Sequence, residues 1–188
     1  MRIAPKLVSA TLALALVLTG CTQEPEPEPT QTPSQTATAT PTQTPEPEPE
    51  PVYEIAPLTG VSYLEGENPH LSLPAVSAKI DNTGPGRPQL ALNDADIVYV
   101  TRVEIGLTRL LPVWHSVMPE AIGPVRSVRP VDAAVAHPYG GVFVYSGGQA
   151  PFKNAAKATG LVMSDEDTEM NNDTYYREST RSAPWNLY

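Results

Sequence analysis

Thirty consecutive residues, Thr22 to Pro51, have a composition from which no core is expected to form, and they set where folding is expected to begin. Glu-Pro repeats at both ends enclose a Thr/Gln/Pro/Ala centre without apolar periodicity. Such a stretch buries too little apolar surface to offset the entropy of ordering it. Alternating proline favours extended polyproline II and self-repelling glutamates stiffen it, so the segment reads as a disordered spacer reaching ~90 Å at about 3.1 Å per residue. A proline-rich ligand for a partner domain is the competing reading, although the stretch lacks the basic residues that accompany such motifs. Residues 52–188 remain as one globular domain of ordinary single-core size.

The first twenty residues carry an address. Arg2 and Lys6 lead into the apolar run Leu7 to Leu18, a basic region followed by a hydrophobic one too short to cross a bilayer. Residues 1–20 therefore read as a signal peptide. It ends Leu18-Thr19-Gly20-Cys21, small residues placed before the only cysteine of the chain. This arrangement resembles a bacterial lipobox, in which Cys21 receives a diacylglyceryl group and opens the mature protein; an ordinary signal with an incidental cysteine is the alternative. Residues 21–51 are then a lipidated cysteine and its spacer, anchored to the outer face of the bacterial cytoplasmic membrane by two acyl chains. With Cys21 consumed, no thiol is left for disulfide or thiolate chemistry, and the domain must rest on its core.

Charge narrows the function. The chain carries 21 acids and a net charge of -9; six glutamates lie in the spacer, which leaves fifteen acids against ten bases in Val52 to Tyr188. That balance argues against nucleic acid as a partner. Seven of the ten bases are arginine: Arg87, Arg102, Arg109, Arg126, Arg129, Arg177 and Arg181. Planar guanidinium forks suit specific pairing with carboxylate or phosphate more than a diffuse cationic surface.

Along the domain, Ala75 to Ile80 alternates as a strand and stops at a Gly-Pro loop from which Arg87 emerges. Pro88 to Leu92 reads as a turn of helix. Ile97 to Glu104 and Arg109 to Ser116 read as an antiparallel hairpin, with Pro112 marking an edge or a bulge. A short helix is expected over Val131 to His137, a strand over Gly141 to Tyr145, and a helix over Pro151 to Thr159, closed by Gly160. Acidic, irregular chain follows from Asp165. Strands and helices mix without a βαβ rhythm, so the expected class is α+β: a largely antiparallel sheet with short helices, preceded by the signal peptide and the disordered linker.

The succession of motifs resembles the YerB-type bacterial lipoproteins, whose conserved region carries only a domain-of-unknown-function label. The carriers are Pro57-Leu58-Thr59-Gly60, Ile80-Asp81-Asn82, Arg87-Pro88-Gln89, Ala95 to Tyr99, Glu104, Thr108-Arg109, Ile122 to Ser127, Arg129-Pro130, Gly147-Gly148, and Ala183-Pro184 with Asn186-Leu187-Tyr188. The resemblance implies an exported lipoprotein and no reaction. It also implies that the domain is incomplete beyond Tyr188, since members usually continue into a second domain. Val100 stands where the family often has glutamate, and Tyr145 and Trp185 where it often has histidine.

Ile122 to Pro130 sets Arg126 and Arg129 between apolar flanks and asks which anion they meet. In a straight strand residues three apart face opposite ways, so one arginine is expected to lock onto Asp96 or Glu104 and the other, Arg126, to face a ligand. Arg109, Arg87 and the Gly147-Gly148 turn ahead of a helix are further candidate anion contacts; a glycine pair also serves a tight turn needing positive φ. Asp81, Asp96 and Glu104 are ion-pair partners or, in the rival reading, acid–base groups. No catalytic residue is assigned: Ser116, Ser127 and Ser146 lie in no nucleophile motif. His70, His115 and His137 lack metal-ligand spacing, and neither metal nor cofactor is expected. The resulting expectation is a non-catalytic binding or scaffold module for an anionic wall component or an envelope protein. The alternative is an envelope hydrolase or transferase using Asp81, Asp96 or Glu104.

Overall fold

The computed structural model describes residues 48–169 and 173–188. The signal peptide, Cys21 and the spacer up to Pro47 lie outside the described residues. In chain order the strands and helices are β1 (Tyr53–Ile55), β2 (Ser62–Leu64), β3 (Val76–Ala78), β4 (Ile80–Asp81), β5 (Ile97–Arg102), β6 (Thr108–Trp114), α1 (Asp132–Ala136), β7 (Val142–Tyr145), α2 (Ala150–Ala158), β8 (Val162–Asp165) and α3 (Glu166–Glu169). The class is α+β.

Strand β6 is the spine of a six-stranded sheet. It pairs antiparallel with β5 along one side and with β3 and β4 along the other. β7 then adds parallel to β3, and β8 parallel to β7. Three pairings are antiparallel and two parallel, while β1 and β2 form a separate antiparallel hairpin.

Pro112 explains why β3 and β4 are two strands. Both follow one register on β6, and continuing it sets Pro112 opposite Ala78, where the ladder is broken. Proline has no N–H to give there. The Lys79 amide turns instead to the Val144 carbonyl, 2.9 Å away. Pro112 is thus buried inside the sheet, at an interruption of the ladder and not at an edge.

The sheet buries both faces. Leu111, Val113, Phe143 and Tyr145 pack beneath Ala136 of α1 and Ala156 of α2. On the other face Ala78, Ile80, Leu110, Trp114 and Val125 pack against Tyr175 and Leu187 of the last segment. β5 is covered on one side only: Tyr99 and Thr101 turn toward the helices, whereas Val98 and Val100 are exposed.

Three local expectations change. Pro88 to Leu92 is not helical; Leu90 bridges Gly123, and the helical turn comes later, a 3-10 turn at Leu92–Asp94. β5 stops at Arg102, so Glu104 opens a 3-10 turn over Glu104–Gly106. The chain from Asp165 is not irregular at its start, because Asp165 closes β8 and Glu166–Glu169 form α3.

Candidate functional site

Ile122 to Pro130 runs as an extended seam between β4 and the end of β7. The Asp81 amide donates to Pro124 O (2.9 Å), Arg126 N to Lys79 O (2.8 Å), Ser146 N to Arg126 O (3.0 Å), and Val128 N to Gly147 O (3.2 Å). Val125 faces the Trp114 side of the sheet. Arg126 therefore looks to the side of Lys79, Asp81 and Arg109, because neighbouring residues of an extended chain alternate.

A sealed ionic pair lies on this side. Lys79 Nζ sits 2.6 Å from Asp132 Oδ1, and both side chains are fully buried. Lys79 also donates to Thr101 Oγ1 (2.6 Å), Thr101 donates to the Arg109 carbonyl (3.1 Å), and Asp132 Oδ2 accepts the Arg129 amide (2.7 Å). Burial holds the Lys79 pKa below its ordinary value despite the attraction of Asp132. Every polar group in this unit has a partner, and none faces solvent.

Next to it lies an open cluster of three guanidiniums. Arg126 Nε approaches Asp81 Oδ2 at 2.8 Å, an ionic contact outside hydrogen-bond alignment. Arg129 Nε meets Glu104 Oε1 at 2.6 Å. Among the described residues Arg109 has no carboxylate in contact: Nη1 donates to the Ser127 carbonyl at 2.7 Å, an oxygen that Arg129 Nη1 also reaches at 3.3 Å. Only 9 % of Arg109 is exposed. Burial, followed by the nearby charges of Arg129 and Arg126, pushes its pKa down to about 10. Four cations, Lys79, Arg109, Arg126 and Arg129, here face three carboxylates, Asp81, Asp132 and Glu104. The excess charge falls on Arg109.

The three carboxylates named from sequence have separate tasks. Asp81 is 1 % exposed; its Oδ1 accepts Thr83 N (2.7 Å) and Thr83 Oγ1 (2.6 Å), leaving Oδ2 for Arg126. Among the described residues Asp96 meets no arginine. It holds the turn after β6, accepting His115 N (2.6 Å), Ser116 N (2.8 Å) and the Ser116 hydroxyl. Glu104 is 60 % exposed, and its own backbone amide together with the Arg129 guanidinium holds its pKa below the usual range. Of the expected division of the arginine pair, one half is seen, with Arg129 on Glu104; Arg126 meets Asp81, and the extra charge is on Arg109.

The other candidates are occupied within the fold. Arg87 donates to Asn82 O and Asn82 Oδ1, both at 3.0 Å, in an exposed loop. The Gly147 amide donates to Asp165 Oδ1 (3.0 Å), so an internal carboxylate already takes the place of a bound anion. Gly148, at φ +135°, lies against the arginine seam, and a Cβ there would come within 2.6 Å of Val128 Cγ1. Sequence reasoning missed Lys79, Thr101 and Asp132. Lys79 carried no separate signal, since the alternation of Ala75 to Ile80 sets it beside Ser77 on the polar face of the strand.

Comparison with known proteins now places the chain. Residues 58–188 match the family model described as "Protein of unknown function (DUF3048) N-terminal domain". The chain belongs to this family. It is 30 % identical over 133 residues to the putative lipoprotein YerB of Bacillus subtilis, an alignment covering 71 % of this chain and 39 % of that protein. The crystal structure of the YerB protein from Bacillus subtilis superposes with a TM-score of 0.62 at 29 % identity, over 71 % of this chain and 45 % of that one. The chain thus spans less than half the length of the family member it matches. Among the described residues no helix is long and apolar enough to cross a membrane, and no three His, Cys, Asp or Glu side chains gather as a metal site.

Proposed function

We propose that this chain is an exported lipoprotein, tethered through a diacylglyceryl group on Cys21 to the outer face of the bacterial cytoplasmic membrane. Its domain acts as a non-catalytic module that binds an anionic group of a wall polymer or envelope protein. The observation that carries the reading is Arg109, a guanidinium nine-tenths buried beside two others with no carboxylate in contact among the described residues. Such a charge is stabilised when an anion enters, and two guanidinium forks beside it suit phosphate or carboxylate oxygens. Exposed Glu104 covers the cluster from the solvent side, so the incoming anion takes the place of Glu104 on Arg129.

The rival reading, a hydrolase or transferase, needs a carboxylate with a spare oxygen. Asp81 and Asp96 are spent on internal donors, which leaves Glu104 as the exposed one. The test is retention of the full chain on purified anionic wall polymer, with inorganic phosphate as competitor. Binding that phosphate displaces and that Arg126→Ala or Arg109→Met abolishes is expected. No retention, or retention untouched by both substitutions, overturns the assignment. Polymer turnover lost on Glu104→Gln but kept in Arg109→Met puts the enzyme reading in its place.

A further inference from the structure

Soluble sheet proteins blunt their edge strands with charges, proline, bulges or a covering segment. β5 has none of these over Ile97 to Thr101. It pairs with β6 through six consecutive residues without a bulge, and no described residue pairs with its other side. Its composition, Ile-Val-Tyr-Val-Thr, is strongly strand-forming. The Val103 amide bonds to Leu107 O at 2.9 Å, and alternation from that pair turns the N–H and C=O groups of Val98, Val100 and Arg102 away from β6. The outer face is apolar: Val98 is 39 % exposed, Val100 65 %, and Ile105 at the tip of the hairpin 97 %.

The charges at the two ends of this edge select the occupant. Asp94, exposed and with no described hydrogen bond or ion pair to its side chain, stands just before β5. Arg102, exposed and likewise without a described ionic partner, closes it. The edge therefore reads acid, apolar, base. In an antiparallel pairing of such a strand with itself, the basic end of each copy meets the acidic end of the other.

We infer that β5 is the interface of a symmetric dimer, in which the β5 edges of two copies pair antiparallel about a two-fold axis at Tyr99 and join the two six-stranded sheets. This register sets Val98 against Val100 of the second copy and brings each Arg102 to the opposite Asp94–Asp96 end. The outward N–H and C=O groups of Val98 and Val100 then bond in pairs, as an antiparallel ladder requires. The second copy is favoured over a foreign strand because one short segment supplies both halves of the charge match. The interface does not use Arg109, Arg126 or Arg129, and it stands or fails apart from anion binding.

Disulfide trapping of the full chain in membranes of the expressing cells tests the pairing. Cα atoms of directly opposed strand residues lie about 5.5 Å apart, within reach of a disulfide. Under mild oxidation the double variant Val98→Cys with Val100→Cys is expected to give a covalent dimer of this chain. Adding Arg102→Asp should lower the trapping rate about tenfold, and adding Asp94→Arg to that variant should restore it. Absence of dimer from chains that resist proteolysis as the parent does overturns the proposal. So does trapping indifferent to Arg102→Asp, or cross-linking to a different envelope protein.

Discussion

The Lys79–Asp132 pair and the Arg109–Arg126–Arg129 cluster lie on the same side of one sheet and are made from the same kinds of groups, yet they are built to opposite ends. In the first, cation and carboxylate are matched one to one, sealed from water and held by neutral partners. In the second, three guanidiniums share two carboxylates, one of which, Glu104, stands in solvent. A closed pair of this kind holds chain segments in place, here β3–β4 against α1. A cluster short of one carboxylate has a use for an anion from outside. Burial alone does not separate the two, since Arg109 is nearly as hidden as Lys79; the balance of charge does.

Breaking the sealed pair should have the largest effect. Lys79→Met leaves a carboxylate buried and unpaired, and such changes cost about 3–5 kcal/mol, measurable as a shift in the denaturation midpoint. Lys79→Met with Asp132→Leu should recover most of that loss, because no uncompensated charge remains. If the double variant is as unstable as the single one, the pair is not the self-contained unit described here.

A smaller effect is expected where the open cluster meets a neutral residue. A Cβ at Gly86 would collide with Asp81 Oδ1, so Gly86→Ala has to push Asp81 off Arg126. A loss of about 1–3 kcal/mol follows from such overpacking. Anion affinity should rise in the same variant, since Arg126 is then uncovered. Unchanged affinity would show that Asp81 does not limit the cluster.

The smallest effect concerns Glu104. Its carboxylate titrates below its ordinary value of 4.5 while it holds Arg129, so the contact is complete above that value and is lost as pH falls through the lowered one. An anion that displaces Glu104 removes the share of this lowering that Arg129 supplies and leaves that of its own backbone amide, so binding takes up a proton in this window. Affinity for inorganic phosphate, which stays anionic there, should therefore rise a few-fold on acidification. Glu104→Gln should bind more tightly at neutral pH and lose this pH dependence. An unchanged profile would remove Glu104 from the path of the ligand.

Much of the fold was legible because local patterns were unambiguous. The β5–β6 hairpin, α2 and the Val142–Tyr145 strand follow from β-branched runs, a proline in the first turn of the helix and a glycine beyond its end. What was not legible depended on pairing between distant segments. β8 carries Ser164 and Asp165, and its strand character comes from lying beside β7. The site divides in the same way. Arg109, Arg126 and Arg129 stand out by residue type, but which of them lacks a carboxylate depends on where Asp81, Asp96 and Glu104 fall in space. Asp96 illustrates the limit, since it sits beside a strand that carries Arg102 and faces Arg109, yet it spends all its acceptors on the turn at His115 and Ser116.

Arg109→Met tests the central claim most directly, because it keeps the buried stem, removes the unmatched charge and leaves the Ser127 carbonyl to Arg129. Retention on anionic wall polymer and thermal stability should be measured together on the full chain. The account predicts binding at least about tenfold weaker, with stability within about 1 kcal/mol of the parent or above it. Undiminished binding, or a loss of stability as large as that of Lys79→Met, would contradict it and make the cluster a second structural network.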